Sequence, residues 1–304
     1  MGSAFYEISF FKFYATLIQS IRGEKMITIG LTGWSDHPLV APNRKRKLED
    51  YASHFPFVEI DTSFYGIPTE KSIKSWIDKT PDAFQFIPKA YSAMTLHRPW
   101  EKEYSSLVEL FDTFKVRFYP MVKEKRIKAF LFQFPPFFHY NQQNIDYLNT
   151  VNRLMETLPV AVEFRHPSWF SKDNKETTLK VLKDNFFFHT VVDEPQTPGN
   201  STPTILEVTD TRLALYRLHG RNYSGWLNAN EDPNWRDTRT LHDYNQEELL
   251  EIQKNTEILA QSAEEVAVIF NNNSGGHAAK NAKELQKLFG IDFQGLHPQQ
   301  LDLF

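Results

Sequence analysis

The stretch VAVEFRHPSW, from Val160 to Trp169, joins an apolar β-strand to a pair of opposite charges. The strand carries Glu163 and Arg165 near its end and stops at Pro167. Successive strand residues point to opposite faces, so these two charges project together from the strand's carboxyl end. In a parallel α/β sheet or barrel, ligands and chemistry lie at this end. The pattern therefore predicts a site; the alternative interpretation is an ion pair that only fills a barrel interior.

The composition limits the class of protein. The chain has 304 residues, of which 41% are hydrophobic and 14% aromatic, so it can form a large core without covalent cross-links. It contains no cysteine, which excludes disulfides, thiolate catalysis and cysteine zinc sites. The formal net charge of −4 argues against a generally basic nucleic-acid-binding protein, although a local basic patch is compatible with it.

The first 25 residues differ from the rest. Their aromatic run, Phe5 to Tyr14, contains Glu7 and Lys12 and follows no basic segment, which does not fit a secretory signal. No stretch of the chain reaches the roughly 18 to 20 apolar residues of a membrane span. Because the clean strand ITIGLTGW follows Met26, we expect residues 1–25 to be an N-terminal extension, read from an upstream start or packed as a helix outside the barrel. The expected location is the cytoplasm.

From Met26 the chain alternates between strand-like and helix-like runs, which predicts a single (β/α)8 TIM-type barrel over residues 26–289. A doubly wound open sheet is the competing topology. The predicted strands are Ile27–Leu31, Phe57–Asp61, Phe84–Ala90, Ala129–Phe134, Val160–Arg165, Phe186–Val192, Leu213–His219 and Val266–Asn271. The predicted helices are Arg44–Ser53, Glu70–Lys79, Tyr104–Val122, Gln142–Thr157, Lys175–Asp184, Gln246–Ala263 and Ala278–Leu288.

Two connections depart from the alternation. Residues 193–211, rich in Pro, Thr and Asn, predict a loop in place of the sixth helix. Residues 221–244 follow the seventh strand and are long enough to fold over the barrel mouth as a lid. Residues 290–304 are expected to form a C-terminal tail outside the barrel.

Polar side chains recur where the predicted strands end. Buried unpaired charges are too costly to keep, so the charged and polar side chains from six strand ends should form a mutually hydrogen-bonded, partly solvated network. The sequence therefore predicts a site at this rim. Its members are Glu59 and Asp61 on strand two, Lys89 on strand three, Gln133 on strand four, Glu163 and Arg165 on strand five, Arg217 and His219 on strand seven, and Asn271 and Asn273 on strand eight.

Several ordered motifs also carry a family resemblance. They are GW at Gly33, YASHFPFVEIDTSFYGIP from Tyr51, FQFPP, EFRHPSW, YRLHG and FNNNSGGHAAKNA. In this order they resemble the YecE-like family, domain of unknown function 72, from Ile27 to about Leu288. The resemblance implies a TIM-type barrel of uncharacterised activity and assigns no catalytic residue. The loop after Trp34, SDHPLVAPNRKRKLEDYA, departs from the longer aromatic loop common in that family.

The rim residues favour anion chemistry. A small anionic group at the rim would be surrounded by Lys89, Arg165, Arg217 and His219. The parallel N–H donors of a guanidinium group match the oxygens of phosphate and carboxylate. The predicted catalytic residues are Glu59, Glu163 and His219, with the carboxylates as general bases or acids. The remaining rim residues, together with Trp34 and Trp169, are predicted to bind substrate. We therefore expect a hydrolase or lyase acting on a phosphorylated compound, including a nucleic-acid phosphodiester.

Two other chemistries stay open. A glycosidase would use Glu59 and Glu163 as paired carboxylates, with Trp34, Tyr65 and Trp169 as sugar platforms, although the nearby cations argue against it. A divalent metal could bind Glu, Asp, His219 and Asn side chains, but the sequence has no HxH or HExxH motif. No cofactor is predicted.

The chain ends in a short motif unrelated to the barrel. The terminal residues, Gln300, Leu301, Asp302, Leu303 and Phe304, resemble the pentapeptide by which bacterial replication and repair proteins bind the sliding clamp. Leu and Phe are compact anchors for apolar pockets, and Gln can donate and accept hydrogen bonds. The sequence therefore predicts a clamp-binding partner, catalytic or not. The alternative is an apolar terminus folded onto the barrel.

Overall fold

Each apolar run of the sequence forms one strand of a parallel sheet. The computed structural model describes residues 25–43, 45–198, 201–227 and 234–298. The expected extension, apart from Lys25, and the terminal pentapeptide lie outside the described residues. The strands are β1 Met26–Thr32, β2 Phe57–Ile60, β3 Gln85–Pro88, β4 Phe130–Gln133, β5 Val160–Glu163, β6 Phe188–Asp193, β7 Ala214–Leu218 and β8 Glu265–Phe270.

The eight strands form a nearly closed barrel. Their order in the sheet is β3-β2-β1-β8-β7-β6-β5-β4, and every neighbouring pair is parallel. Between β3 and β4 the contact consists of two isolated bridges, Phe86 with Ile127 and Lys89 with Leu131. This closure confirms the predicted (β/α)8 class and rules out the open sheet.

The helices lie outside the barrel and begin where side chains cap them. Thr69, Ser106, Asn141 and Asn245 each accept a hydrogen bond from a backbone N–H of the first turn. The cap at Ser106 explains why the third helix begins at Leu107 instead of Tyr104. The helices are α1 Lys47–Ala52, α2 Glu70–Asp78, α3 Leu107–Lys123, α4 Gln142–Met155, α5 Lys175–Asp184, α6 Tyr223–Leu227, α7 Trp235–Arg239, α8 Gln246–Ala260 and α9 His277–Phe289. No described helix has the length and apolar character needed to cross a membrane.

The barrel interior is apolar toward the amino ends of the strands and ionic toward their carboxyl ends. The lower interior is a cluster of fully or nearly fully buried side chains that includes Phe57, Leu131, Phe188 and Leu215. Gly30 makes room for Phe57, because a Cβ at Gly30 would lie 2.7 Å from the Phe57 ring. Above this layer, toward the carboxyl ends of the strands, charged and polar residues replace the hydrophobic ones. The filled floor closes the barrel from below, so a ligand can approach only from the carboxyl-terminal rim.

The connection between β6 and β7 has no helix in its described part, as the sequence predicts. Threonine side chains bond this segment to the neighbouring strand instead. Thr209 Oγ1 accepts a hydrogen bond from the His189 N–H at 2.8 Å and donates one to the Phe187 carbonyl at 2.6 Å. Thr204 Oγ1 donates to the Val192 carbonyl at 2.9 Å. The segment thereby covers β6, with Ile205 and neighbouring apolar residues packed on the outer core.

The segment after β7 lies against the carboxyl-terminal rim. Its two short helices pack together closely, because Asn222 Nδ2 donates to the Thr238 carbonyl at 2.7 Å and a Cβ at Gly225 would lie 2.8 Å from that oxygen. The indole N–H of Trp226 donates to the Arg239 carbonyl at 3.2 Å. This pairing brings the side chains of Trp226 and Arg239 to the barrel mouth.

Candidate functional site

A single arginine organises the floor of the site. Arg217 binds Glu59 with two hydrogen bonds, from Nε to Oε2 at 2.7 Å and from Nη2 to Oε1 at 2.8 Å. Its third nitrogen, Nη1, donates to Glu163 Oε2 at 3.1 Å. Both carboxylate side chains are completely buried, and Arg217 is 1% exposed. Burial opposes the charge of Arg217, but the two carboxylates outweigh it and raise its pKa. The floor is therefore a fixed ionic triad.

Glu163 is the most highly bonded of these carboxylates. Its Oε1 accepts hydrogen bonds from Gln133 Nε2 at 2.6 Å and from His219 Nε2 at 3.0 Å. Arg165 Nη1 lies 3.7 Å from the same oxygen. Burial alone would raise the pKa of Glu163, but Arg217 and His219 hold it well below its usual range. Glu163 is consequently an anion throughout the neutral range.

His219 is neutral and engaged on both ring nitrogens. Burial, opposed by the attraction of Glu163, lowers the pKa of His219 to about 3. Its Nδ1 lies 2.9 Å from Asn271 Nδ2, which donates to it. The proton of the neutral ring therefore lies on Nε2, where it bonds to Glu163. In this arrangement His219 orients Glu163 and has no nitrogen free to exchange a proton.

Two guanidinium groups lie against the same indole ring near the rim. The Arg165 guanidinium carbon is 4.5 Å from the Trp226 ring centroid, and that of Arg239 is 3.9 Å from it. Burial and the neighbouring Arg165 lower the pKa of Arg239 to about 9, so both groups remain cations at neutral pH. Within the described part of the chain, the Arg239 side chain forms no ion pair, and its guanidinium lies against the rings of Trp226 and Trp235.

Glu194, at the end of β6, is a site residue that the sequence analysis missed. Its side chain is fully buried, and Oε2 lies 3.4 Å from Arg165 Nη1. Oε1 accepts two hydrogen bonds from Thr202, from the backbone N–H at 2.7 Å and from Oγ1 at 3.0 Å. Oε2 has no hydrogen-bond partner among the described residues. The signal was present, because Asp193 and Glu194 follow a buried strand as Glu163 does.

A lysine and a histidine form the opposite side of the rim. Lys89 Nζ lies 2.9 Å from Asp61 Oδ1 and 4.6 Å from the ring centroid of Phe64. His97 packs edge-to-face on the same ring, and its Nδ1 lies 2.8 Å from Thr95 Oγ1. Burial and the cations Lys89 and Arg165 lower the pKa of His97 to about 4. His97 follows β3 in a loop whose sequence gives no periodic signal, so no local pattern predicts its place at the rim.

Three predicted substrate-binding residues lie away from this cluster. Trp169 is completely buried, stacked 4.1 Å from Phe164 and 5.5 Å from Phe138, and its indole N–H donates to the Phe138 carbonyl. Its prediction as a substrate-binding residue is therefore wrong, because Pro167 ends the strand and turns Trp169 into the outer core.

The other two residues lie at the ends of the first and last strands. Asn273 Nδ2 donates to the Thr32 carbonyl at 2.9 Å, which joins the end of β8 to the end of β1. Trp34 is partly exposed and packs edge-to-face on Trp76, with 5.4 Å between the ring centroids. Neither contacts the ionic triad.

The structure thus brings together most of the predicted site. Glu59, Glu163 and Arg217 form the closed floor, and the partly exposed residues of the rim include Asp61, Gln133, Asn271 and Arg239. The described His, Asp and Glu residues include no group of three placed to hold a metal ion. The arrangement offers fixed carboxylates below and cations above, an electrostatic gradient suited to an anion that enters from the rim.

Sequence and structure comparisons agree with this barrel. The family described as "Protein of unknown function DUF72" matches residues 28–302. The UPF0759 protein YunF of Bacillus subtilis is 45% identical over 282 residues, which cover 92% of this chain and 100% of YunF. The UPF0759 protein YecE of Escherichia coli is 33% identical over 158 residues, which cover 51% of this chain and 54% of YecE.

Two solved structures are similar over almost the whole barrel. A DUF72 family protein from Enterococcus faecalis has a TM-score of 0.87 and 39% identity, and the match covers 91% of this chain and 100% of that one. A DUF72 family protein from Thermotoga maritima has a TM-score of 0.75 and 29% identity, with coverage of 88% and 100%. The resemblance in the strand-end motifs is therefore confirmed, and this chain belongs to the YecE-like DUF72 family.

Proposed function

We propose that the chain binds a phosphorylated or similarly oxyanionic substrate at the carboxyl-terminal rim of the barrel. The observation that carries this proposal is the pair of guanidinium groups on Trp226. Arg239 forms no ion pair with a described residue, and Arg165 lies 3.4 Å from Glu194 and 3.7 Å from Glu163 without donating a hydrogen bond to either, although each guanidinium has five N–H donors. Desolvated cations placed side by side repel each other unless an anion joins them. An oxyanion between them would accept hydrogen bonds from the N–H groups of both guanidinium groups.

The proposed reaction is hydrolysis or elimination of this phosphorylated substrate. Glu163 is ionised and lies 3.7 Å from Arg165 Nη1, and His219 and Gln133 hold it in one orientation. Glu59 is less suited to proton transfer, because both of its oxygens accept from Arg217. We assign Glu163 the role of base or charge stabiliser, with Arg165 and Arg239 binding the anion.

A carbohydrate substrate fits this geometry less well. Glu59 and Glu163 are bound to the same guanidinium, which occupies the space between them where a glycosidic bond would have to lie. Trp169 is completely buried and stacked on Phe164, so it offers no platform for a sugar. Anion binding therefore remains the favoured function of the rim.

Anion binding is tested by thermal unfolding with increasing inorganic phosphate at constant ionic strength. The melting temperature should rise with phosphate, because ligand that binds only the folded state stabilises it. Arg165→Gln and Arg239→Gln should each weaken binding by about tenfold or more. Arg212→Gln is the matched control, since Arg212 also packs on a ring, that of Phe188, but lies before β7. No rise for the natural chain, or a full rise for Arg239→Gln, would contradict the proposal.

Catalysis needs a separate assay. The natural protein and Glu163→Gln would be compared on phosphomonoesters, phosphodiesters and short DNA strands, with phosphate release and strand cleavage as readouts. We expect turnover of one class and its loss in Glu163→Gln, with thermal unfolding to show that the variant is folded. Phosphate binding without turnover of any class would leave a binding protein and reject the enzyme.

A second proposal, tethering to the sliding clamp, rests on the terminal sequence QLDLF. The described chain ends near the opposite side of the barrel from the site, since the His297 N–H donates to the Ala52 carbonyl, just before β2. A partner bound beyond that point would leave the rim accessible. Such a tether would place the protein in the cytoplasm with the replication machinery.

Deletion of Gln300 to Phe304 should abolish capture by a purified bacterial sliding clamp and leave the melting temperature unchanged. The double substitution Leu303→Ala and Phe304→Ala is the less disruptive variant, because it removes only the apolar anchors. Undiminished capture of either variant would refute the tether. It would not affect the proposal for the rim.

A further inference from the structure

We infer that Glu194 acts as a carboxylic acid at the rim and donates a hydrogen bond through Oε2 to the oxyanion held by Arg165 and Arg239. The inference rests on the proposed anion site and deepens it. The inference requires that the ligand be an oxyanion with an oxygen that accepts the hydrogen bond from Glu194. It also requires that the Glu194 carboxyl group carry a proton when the ligand binds.

The two carboxyl oxygens of Glu194 have different surroundings: one is hydrogen-bonded within the protein, and the other is placed to meet the ligand. Oε1 is occupied, because the backbone N–H and the hydroxyl of Thr202 both donate to it. Oε2 is buried without a hydrogen-bond partner among the described residues. It lies 3.4 Å from Arg165 Nη1, next to the guanidinium that faces Trp226. An anion bound to Arg165 on this side would meet Oε2 directly.

Burial favours the acidic form of Glu194. The titratable groups that face it are Arg165 and Glu163 on the β5 side and Arg239 from α7. Burial raises the pKa of Glu194 and the anion Glu163 adds to this effect, while Arg165 and Arg239 oppose it. Glu163, which is bonded to Arg217, shifts in the opposite direction. Neighbouring carboxyl groups with divergent pKa values typically divide acid and base roles between them.

An incoming oxyanion strengthens this preference. It neutralises Arg165 and Arg239, the two cations that favour ionised Glu194, and adds a negative charge of its own beside Oε2. An ionised Glu194 would repel the ligand, whereas the protonated form donates to it. Binding therefore takes up one proton, and affinity should decrease as pH rises above the pKa of Glu194 in the free protein.

The test is calorimetric titration with sodium sulfate, which does not itself titrate, from about pH 5 to about pH 8. The natural protein should lose about tenfold in affinity per pH unit above the pKa of Glu194, and proton uptake should appear as a heat that depends on the buffer. Glu194→Gln keeps an N–H donor at the same place. It should bind sulfate with no such pH dependence and no proton uptake.

Two further variants make the outcome decisive. Glu207→Gln, an exposed carboxylate of the same connection, should behave like the natural protein. Thr202→Val removes one donor to Oε1 and should extend tight binding to higher pH, which tests the inference even where Glu194→Gln does not fold. An unchanged pH dependence in either Glu194→Gln or Thr202→Val would overturn the role of Glu194 and leave the anion site standing. Failure of the natural protein to bind sulfate or phosphate at any pH would overturn the site itself.

Discussion

At the scale of single residues, Arg217 decides the character of the barrel mouth. Its guanidinium is buried with two carboxylates, and each nitrogen donates to one of them. Removing one member of such a group leaves a buried charge without its partner, which is far more costly than losing an exposed pair. By contrast, Arg239 forms no ion pair with a described residue, and Arg165 lies 3.4 Å from Glu194 and 3.7 Å from Glu163 without a hydrogen bond to either.

Glu59→Gln should therefore reduce the free energy of unfolding by about 3–5 kcal/mol, because it leaves Arg217 with only one carboxylate. Urea unfolding at neutral pH measures the change. Asp184→Asn is the control, since Asp184 pairs with Lys180 on the surface of α5 and should cost less than about 1 kcal/mol. Equal losses for the two variants would show that the buried triad is no more important than a surface pair.

The sequence predicted the residues of the ionic triad better than the rim residues that lie on connections. Glu59, Glu163 and Arg217 follow the alternation of their strands, so their shared direction could be predicted. Arg239, Trp226 and His97 lie on connections, where no period relates position to direction. Their presence at the site depends on how each connection folds back over the barrel.

At the scale of elements, one carboxylate at the end of β6 binds both ends of the segment after β7. Asp193, at the end of β6, accepts hydrogen bonds from the Arg221 guanidinium and from Tyr244 Oη at 2.8 Å. Tyr244 Oη in turn accepts from the Gly220 N–H at 2.9 Å. These bonds anchor both ends of the segment that carries Trp226 and Arg239.

Tyr244→Phe should loosen this segment and cost about 1–3 kcal/mol, because a buried N–H loses its acceptor. Amide hydrogen exchange of residues 220–245 should accelerate more than that of the β8 amides, and phosphate affinity should decrease as Arg239 becomes less fixed. Tyr119→Phe, at an exposed position on α3, is the control. Exchange that is unchanged in the segment would refute the anchoring role.

At the scale of the whole molecule, closing the barrel buries several histidines in neutral form. Burial lowers the pKa of His189 to about 4, and that of His219 to about 3. The unfolded chain, with an ordinary histidine pKa near 6.5, binds more protons than the folded one between these values. Stability from these groups is thus fully present above about pH 6.5 and is lost as the pH falls toward 4.

The free energy of unfolding should consequently fall between about pH 6.5 and about pH 4, by up to about 1.4 kcal/mol per pH unit for each such histidine. Urea midpoints at intermediate pH values measure the slope. His189→Asn should flatten it, whatever the variant does to the absolute stability, because one proton-binding group is lost. A slope unaffected by His189→Asn would contradict the assignment of a neutral buried histidine.

The sequence alone determined the alternation of strands and helices, the lack of a helix in the described part of the β6–β7 connection, and the set of charges at the strand ends, since each depends on local periodicity and turn chemistry. The tertiary structure decided which charges meet. Closure through the β3–β4 bridges placed Arg217 between Glu59 and Glu163, partners 158 and 54 residues away along the chain. It also brought Arg239 to Arg165 and sent Trp169 into the outer core. Long-range contacts of this kind follow from how surfaces pack, and no local pattern encodes them.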